Sequence, residues 1–137
     1  MQLELNDIKR FEKQIILKNV GIAGQKKILK AKVLVIGIGG LGCPLLMYLA
    51  ASGVGTIGIA DPDKIEISNL NRQTLFTTND IGKYKVDQAK YSINRINKKI
   101  KIKIFKKKIT SKNIKSTIRD FDIICDGTDN FETRIFS

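Results

Sequence analysis

Histidine and tryptophan are absent from this 137-residue chain, and proline and cysteine occur only twice each. The two thiols, Cys43 and Cys125, lie far apart in sequence, each in an apolar setting. That arrangement fits buried packing in a reducing compartment. It matches no zinc pattern, and two lone thiols cannot make a four-ligand site. Cys43 stands at the start of an expected helix, where a thiol pKa is lowered; packing is its expected role, with modest reactivity the alternative. No apolar run reaches the roughly eighteen residues of a membrane span, and neither a secretory signal nor a transit peptide is visible at the N-terminus. The expectation is a protein with no membrane partner that is not secreted and stays in the cytoplasm or an organelle stroma. Acidic residues are scarce too, 13 against 25 basic, for a net charge of +12. Such a balance suits an anionic partner, but no aromatics interleave the lysines as single-strand nucleic-acid binding requires. Lysine and isoleucine together make up nearly a third of the chain. This is the bias of an AT-rich coding sequence, such as an organelle's, spread over solvated faces, and no nucleic-acid partner is expected.

What is present is one domain's worth of globular sequence, 42% hydrophobic and 28% charged, without repeats or linkers. Residues 3–18 carry Leu5, Ile8, Ile15 and Ile16 at near-helical spacing and predict one amphipathic helix. A break at Gly21–Gly24 precedes a short basic helix over about 25–30. Val33-Leu34-Val35-Ile36 is a continuous apolar run, as in strands of a parallel sheet covered on both faces. A helical pattern over 43–52 follows, with Pro44 harmless in its first turn and Gly53 and Gly55 as its stop. Strands are expected over 56–60, 99–105 and 121–125, with helices over about 83–97 and 112–119. Lys99 to Phe105 alternates lysine with apolar residues, which suits a sheet edge. The order predicts an α/β fold, a Rossmann-like doubly wound parallel sheet.

Gly37-Ile38-Gly39-Gly40-Leu41-Gly42 matches G-x-G-x-x-G through Gly37, Gly39 and Gly42, between an apolar strand and a helix. Gly37 permits the tight turn, Gly39 lets backbone N–H groups approach a phosphate, and Gly42 lets the helix sit close on the sheet. The helix N-terminus adds about 0.3–1 kcal/mol for negative charge. Asp61 ends the second strand about 20 residues on, where an acid accepts ribose hydroxyls. This pattern alone does not say which nucleotide binds, and a dehydrogenase would use the same turn for NAD.

The residues beyond the second strand narrow the choice. Arg72, Lys85 and Asp129 fall near the carboxyl ends of strands, around the crevice where open sheets bind ligands. Two cations and one carboxylate suit a triphosphate with its Mg²⁺, which NAD does not have. The segments Arg10-Phe11-Glu12-Lys13-Gln14-Ile15-Ile16-Leu17, Ser68-Asn69-Leu70-Asn71-Arg72-Gln73 and Thr128-Asp129-Asn130, together with the glycine turn, resemble the ubiquitin-activating-type adenylyltransferases. Gly42-Cys43 and Arg72-Gln73-Thr74-Leu75 are most similar to those that activate molybdopterin synthase.

The resemblance implies the N-terminal half of that family's fold. Residues 1–31 would be an N-terminal helical arm for dimer and ATP contacts, and 32–137 a nucleotide-binding domain. Gly37, Gly39, Gly40 and Gly42 would line ATP, Asp61 would hold the ribose, Asn69, Arg72 and Lys85 the phosphates, and Asp129 the Mg²⁺. Lys13 stands where the family carries an arginine that crosses a homodimer interface to the partner's ATP; it keeps the charge but loses the planar fork. The implied reaction is adenylylation of the C-terminal glycine of a ubiquitin-like sulfur-carrier protein. The family's other half, with its paired zinc cysteines and carrier groove, has no counterpart here, so Zn²⁺ is expected only where such a half exists. The expectation is therefore the front half of an adenylyltransferase, cut short or completed by another chain. The alternative is a non-catalytic remnant that binds nucleotide or a partner.

Overall fold

The computed structural model describes residues 2–128. Four parallel strands form one sheet in the order β3-β2-β1-β4, with β1 at Lys32–Ile36, β2 at Thr56–Ala60, β3 at Lys101–Phe105 and β4 at Ile123–Asp126. Their registers place the strand ends side by side: Ile36 lies opposite Ala60 and Asp126, and Ala60 opposite Phe105. The carboxyl ends of all four strands therefore open on one edge.

Why these segments are strands follows from what covers them. Val33, Leu34, Val35 and Ile36 are buried throughout, so β1 alternates its side chains into two cores. On one face Val33, Val35, Ile57 and Ile59 pack against α4 (Gly42–Ser52) and α5 (Lys85–Ile96) through Leu46, Ala50, Val86 and Ile93. On the other, Leu34, Ile36 and Ala60 meet Ile109 and Ile114, the latter on α6 (Ile114–Ile118). Each fully buried aliphatic side chain contributes about 1.5–3 kcal/mol relative to exposure. Strand β3 is at an edge, and its lysines are exposed while Ile102 and Ile104 are half-buried, the alternation expected of it.

The N-terminal arm departs from its periodicity. In place of one helix over 3–18 there are two short ones, α1 (Leu5–Arg10) and α2 (Glu12–Ile15), parted at Phe11. Phe11 is 1% exposed, whereas Leu5 and Ile16 of the expected apolar stripe are 66% and 68% exposed. The break turns the aromatic ring inward against Gly53, too close for a β-carbon there, at the turn that ends α4. Gln14 Nε2 donates to Gln25 Oε1 at 2.8 Å and to the Ser52 carbonyl at 3.0 Å, and Gln25 Nε2 donates to the same carbonyl at 3.1 Å. Burying one large ring and satisfying a carboxamide chain outweighs a longer helix with a narrow stripe. Helix α3 (Gly21–Lys30) also begins at the glycine expected to break it.

Phe11→Ala removes the ring that seats the arm on the α4–β2 turn. It is expected to cost about 3–5 kcal/mol, read as a fall in the urea midpoint at unchanged slope; a loss below 1 kcal/mol would show that the arm is held by its hydrogen bonds alone.

Candidate nucleotide site

Between the ends of the strands lies a cavity of about 470 Å³. Its floor is the turn from β1 to α4. Gly37 sits at φ +87°, and a β-carbon there would come 2.7 Å from Thr128 Cγ2. At Gly42 a β-carbon would stand 2.1 Å from the Gly37 carbonyl oxygen, a backbone clash that no rotamer relieves. Glycine at both places lets the chain reverse tightly and lets α4 start directly on the end of β1, leaving the turn residues Gly37 to Gly39 on the cavity floor. Gly39 lines the cavity and Gly40 and Gly42 do not; a β-carbon on Gly40 would meet the Arg72 stem at ordinary contact distance.

Asp61, one residue past β2, is 6% exposed and lines the same cavity. Its Oδ2 accepts the Ile38 N–H at 2.8 Å and its Oδ1 accepts the Asp63 N–H at 2.8 Å. The carboxylate is thereby tied to the glycine turn on one side and to its own loop on the other. Burial pushes its carboxyl above the usual range, against the pull of those two N–H groups and of the nearby Lys85. Each oxygen can accept further hydrogen bonds, so the group can still bind a ligand's hydroxyls.

Between β2 and α5 the chain is polar, with two 3₁₀ turns at Ile67–Asn69 and Thr78–Asp80. It closes on itself through the Ile65 N–H to the Lys83 carbonyl at 2.8 Å and the Gly82 N–H to the Ile65 carbonyl at 2.9 Å. The Lys85 N–H donates to the Asp63 carbonyl at 3.0 Å, and this sets Lys85, only 7% exposed, at the head of α5 beside the cavity. Asn69, at the end of the first 3₁₀ turn, and Arg72, three residues beyond it, line the wall. Arg72 Nη1 donates to the Ser68 carbonyl and to Asn71 Oδ1, both at 3.0 Å, so the guanidinium is braced from behind.

Gly37, Gly39, Asp61, Asn69, Arg72 and Lys85 are thus brought together around one cavity. Lys13 is exposed on the arm and does not line it, and Asp129 lies outside the described residues. Lys107, Lys108 and Gln73 also line the cavity, without a role that the motifs assign. Lys107 and Lys108 lie just past the end of β3, after Lys106; in the sequence they merge with the lysine bias, although their place near a strand's carboxyl end is a signal. Gln73 is 4% exposed, and its Oε1 is buried with no hydrogen-bond partner, which costs about 1–3 kcal/mol.

Residues 11–136 match the ThiF family. A probable molybdopterin-synthase adenylyltransferase of Porphyra purpurea is 48% identical over 130 residues, 95% of this chain and 34% of that protein. A sulfur carrier protein adenylyltransferase of Thermus thermophilus is 39% identical over 134 residues, 98% of this chain and 49% of that protein. The chain therefore spans 34% and 49% of the length of these two relatives. The crystal structure of E. coli MccB with ATP matches with a TM-score of 0.69 at 35% identity, over 73% of this chain and 30% of that one.

Cys43 sits in the first turn of α4, but its side chain is fully buried in the core. Burial pushes its thiol up to about 11, against smaller opposing contributions from a Leu75 backbone hydrogen bond and from Lys85. Helix-start activation does not prevail over desolvation here. At pH 8 only about one thiol in a thousand would be ionised. Iodoacetamide at pH 8 is expected to leave Cys43 unmodified in the folded protein and to alkylate it in denaturant; rapid native labelling, read by peptide mass, would contradict the burial argument.

Proposed function

Since the chain belongs to the ThiF family, we propose that it binds ATP with Mg²⁺ in this cavity. We further propose that it adenylylates the C-terminal glycine of a ubiquitin-like sulfur-carrier protein, of the molybdopterin-synthase small-subunit type. The observation that supports this most directly is one cavity lined by a buried, backbone-tethered carboxylate, Asp61, together with the cations Arg72 and Lys85. A dinucleotide needs the turn and the acid; a triphosphate also needs the cations. The names of the two relatives, and the ATP held by MccB, support the same reading.

In this reading Asp61 accepts the ribose hydroxyls, Gly39 offers its backbone N–H from the turn, and Asn69, Arg72 and Lys85 hold the phosphates. Mg²⁺ takes one or two carboxylates together with substrate phosphates. Asp129, which lies outside the described residues, would supply the protein carboxylate for an ion that arrives on the nucleotide. When bound, Mg²⁺ neutralises phosphate charge. The carrier's terminal carboxylate oxygen attacks the α-phosphorus, the bond from that phosphorus to the departing oxygen breaks, and acyl-adenylate and pyrophosphate result. Arg72 and Lys85 stabilise the charge that grows on the phosphates. No covalent enzyme nucleophile is required, in keeping with a buried Cys43.

A homodimer belongs to the same reading, with Lys13 of one copy reaching the other's nucleotide. Ile16 and Leu17, 68% and 55% exposed on the arm beside it, offer apolar surface for that contact. No helix among the described residues is long and apolar enough to cross a membrane, and the compartment proposed is the cytoplasm or an organelle stroma.

The purified chain is expected to exchange labelled pyrophosphate into ATP only when a sulfur carrier is present, and Arg72→Ala should slow the exchange about a hundredfold. Binding of ATP without exchange for any carrier would leave a non-catalytic nucleotide-binding module. Tighter binding of NAD than of ATP would overturn the nucleotide assignment.

A further inference from the structure

Helix α1 is docked the wrong way round for an amphipathic helix. None of its residues is buried, and its apolar Leu5 and Ile8 are 66% and 38% exposed. Its charges face the body instead. Glu4, just before its first turn, and Asp7 accept from Lys99 Nζ at 2.8 and 3.4 Å. Arg10 Nη1 donates to the Ile96 carbonyl, at the end of α5, at 3.1 Å. Lys99 stands two residues before β3, so these contacts lie at the amino edge of the sheet, away from the nucleotide cavity. There Glu4 and Asp7 help to wall a recess of about 440 Å³ that is also lined by Lys30, Lys32, Lys99 and Lys101.

Such a fastening is weak by nature. The side chains of Lys99 and Glu4 are 57% and 72% exposed, and exposed ion pairs stabilise little and are screened by salt. A helix of six residues does not hold its own fold in water, so α1 persists only while it is docked. Immediately beyond it the chain is held by other means. Phe11 is 1% exposed against Gly53, and Gln14 donates to Gln25 and to the Ser52 carbonyl. Helix α1 therefore hangs from an apolar anchor and is fastened at its far end by charge. We infer that α1 is an ionic strap across the lysine-lined recess, which pivots at Phe11 and is released when its contacts to Lys99 are screened. Release removes one wall of the recess and leaves four lysines facing two fewer carboxylates, while α2, the sheet and the nucleotide cavity stay in place.

Hydrogen–deuterium exchange on the 137-residue chain, read by peptide mass, separates the strap from its anchor. Raising sodium chloride from about 0.01 M to about 1 M shortens the screening length from about 30 Å to about 3 Å. The amides of residues 5–10 are expected to exchange about tenfold faster at the higher salt, while those of α2 and β1 keep their rates. Lys99→Glu should give the fast exchange already at low salt, and adding Glu4→Lys to it should restore part of the protection. The salt response of the parent chain decides the matter should Lys99→Glu fail to fold. Equal exchange of residues 5–10 at both salts would overturn the proposal, because apolar contacts would then be holding the helix. A rise shared equally by α1, α2 and β1 would also overturn it, since no separate strap would exist. Unchanged fast exchange in the double variant would remove the ion pair as the fastening.

Discussion

At Gly42 a single added β-carbon would stand 2.1 Å from the Gly37 carbonyl oxygen, and much of the carboxyl edge of the sheet follows from that spacing. Because α4 starts against the end of β1, the short turn that joins them lies at the cavity floor, beside the residues that follow β2 and β4. The turn is then fixed laterally. The Ile38 N–H goes to Asp61, the Gly37 N–H to the Ala60 carbonyl at 2.8 Å, and the Gly127 N–H to the Ile36 carbonyl at 2.7 Å. Three strand ends are stitched through one tight turn, so a ligand on the turn meets groups that need little reorganisation.

Asp61 shows how such a site holds a buried charge. Removing a carboxylate from water is costly unless it is hydrogen-bonded, and here two backbone N–H groups and a nearby lysine oppose the cost without cancelling it. The acid is rigid because both oxygens are already engaged, and it remains able to accept more. Arg72, Lys85, Lys107 and Lys108 lie on the walls around it, so an anionic ligand with hydroxyls at one end would satisfy both signs of charge at once.

Much of this is legible in the sequence, for reasons that differ by element. Strand β2 is expected at 56–60 and stands at Thr56–Ala60, because a β-branched run between glycines and an acid leaves few alternatives. Strand β3 is readable as an edge, since its lysines alternate with isoleucines. The glycine turn is readable because only glycine meets its steric demands. The arm is not, because the decisive fact there is tertiary: Phe11 finds a niche against Gly53, 42 positions further along the chain, and periodicity cannot register that. The burial of Gln73 is hidden for a related reason: it stands in two of the motifs, but an amide with an orphaned oxygen looks like any polar loop residue until its surroundings are known.

Lys107 and Lys108 extend the same rigidity to the third wall of the cavity. Lysines are flexible, and two of them on an unanchored loop would contribute little beyond a diffuse field. Here the loop is pinned on both sides. Before the pair, the Phe105 ring meets Phe121 edge-on at 6.3 Å between centroids, and the Phe105 carbonyl accepts the Asp61 N–H at 3.1 Å. After it, Ile109 is 2% exposed and packs with Leu34, Ile36 and Ile114 in the smaller core. The backbone that carries these cations is therefore bonded to the acid at the centre of the cavity and sealed into the far side of the sheet. Their side chains can still adjust to a ligand while their attachment points cannot, a combination that gives a cationic wall reach without giving up position. The smaller core, on the face opposite α4 and α5, is thus part of the site, because it holds that wall in place.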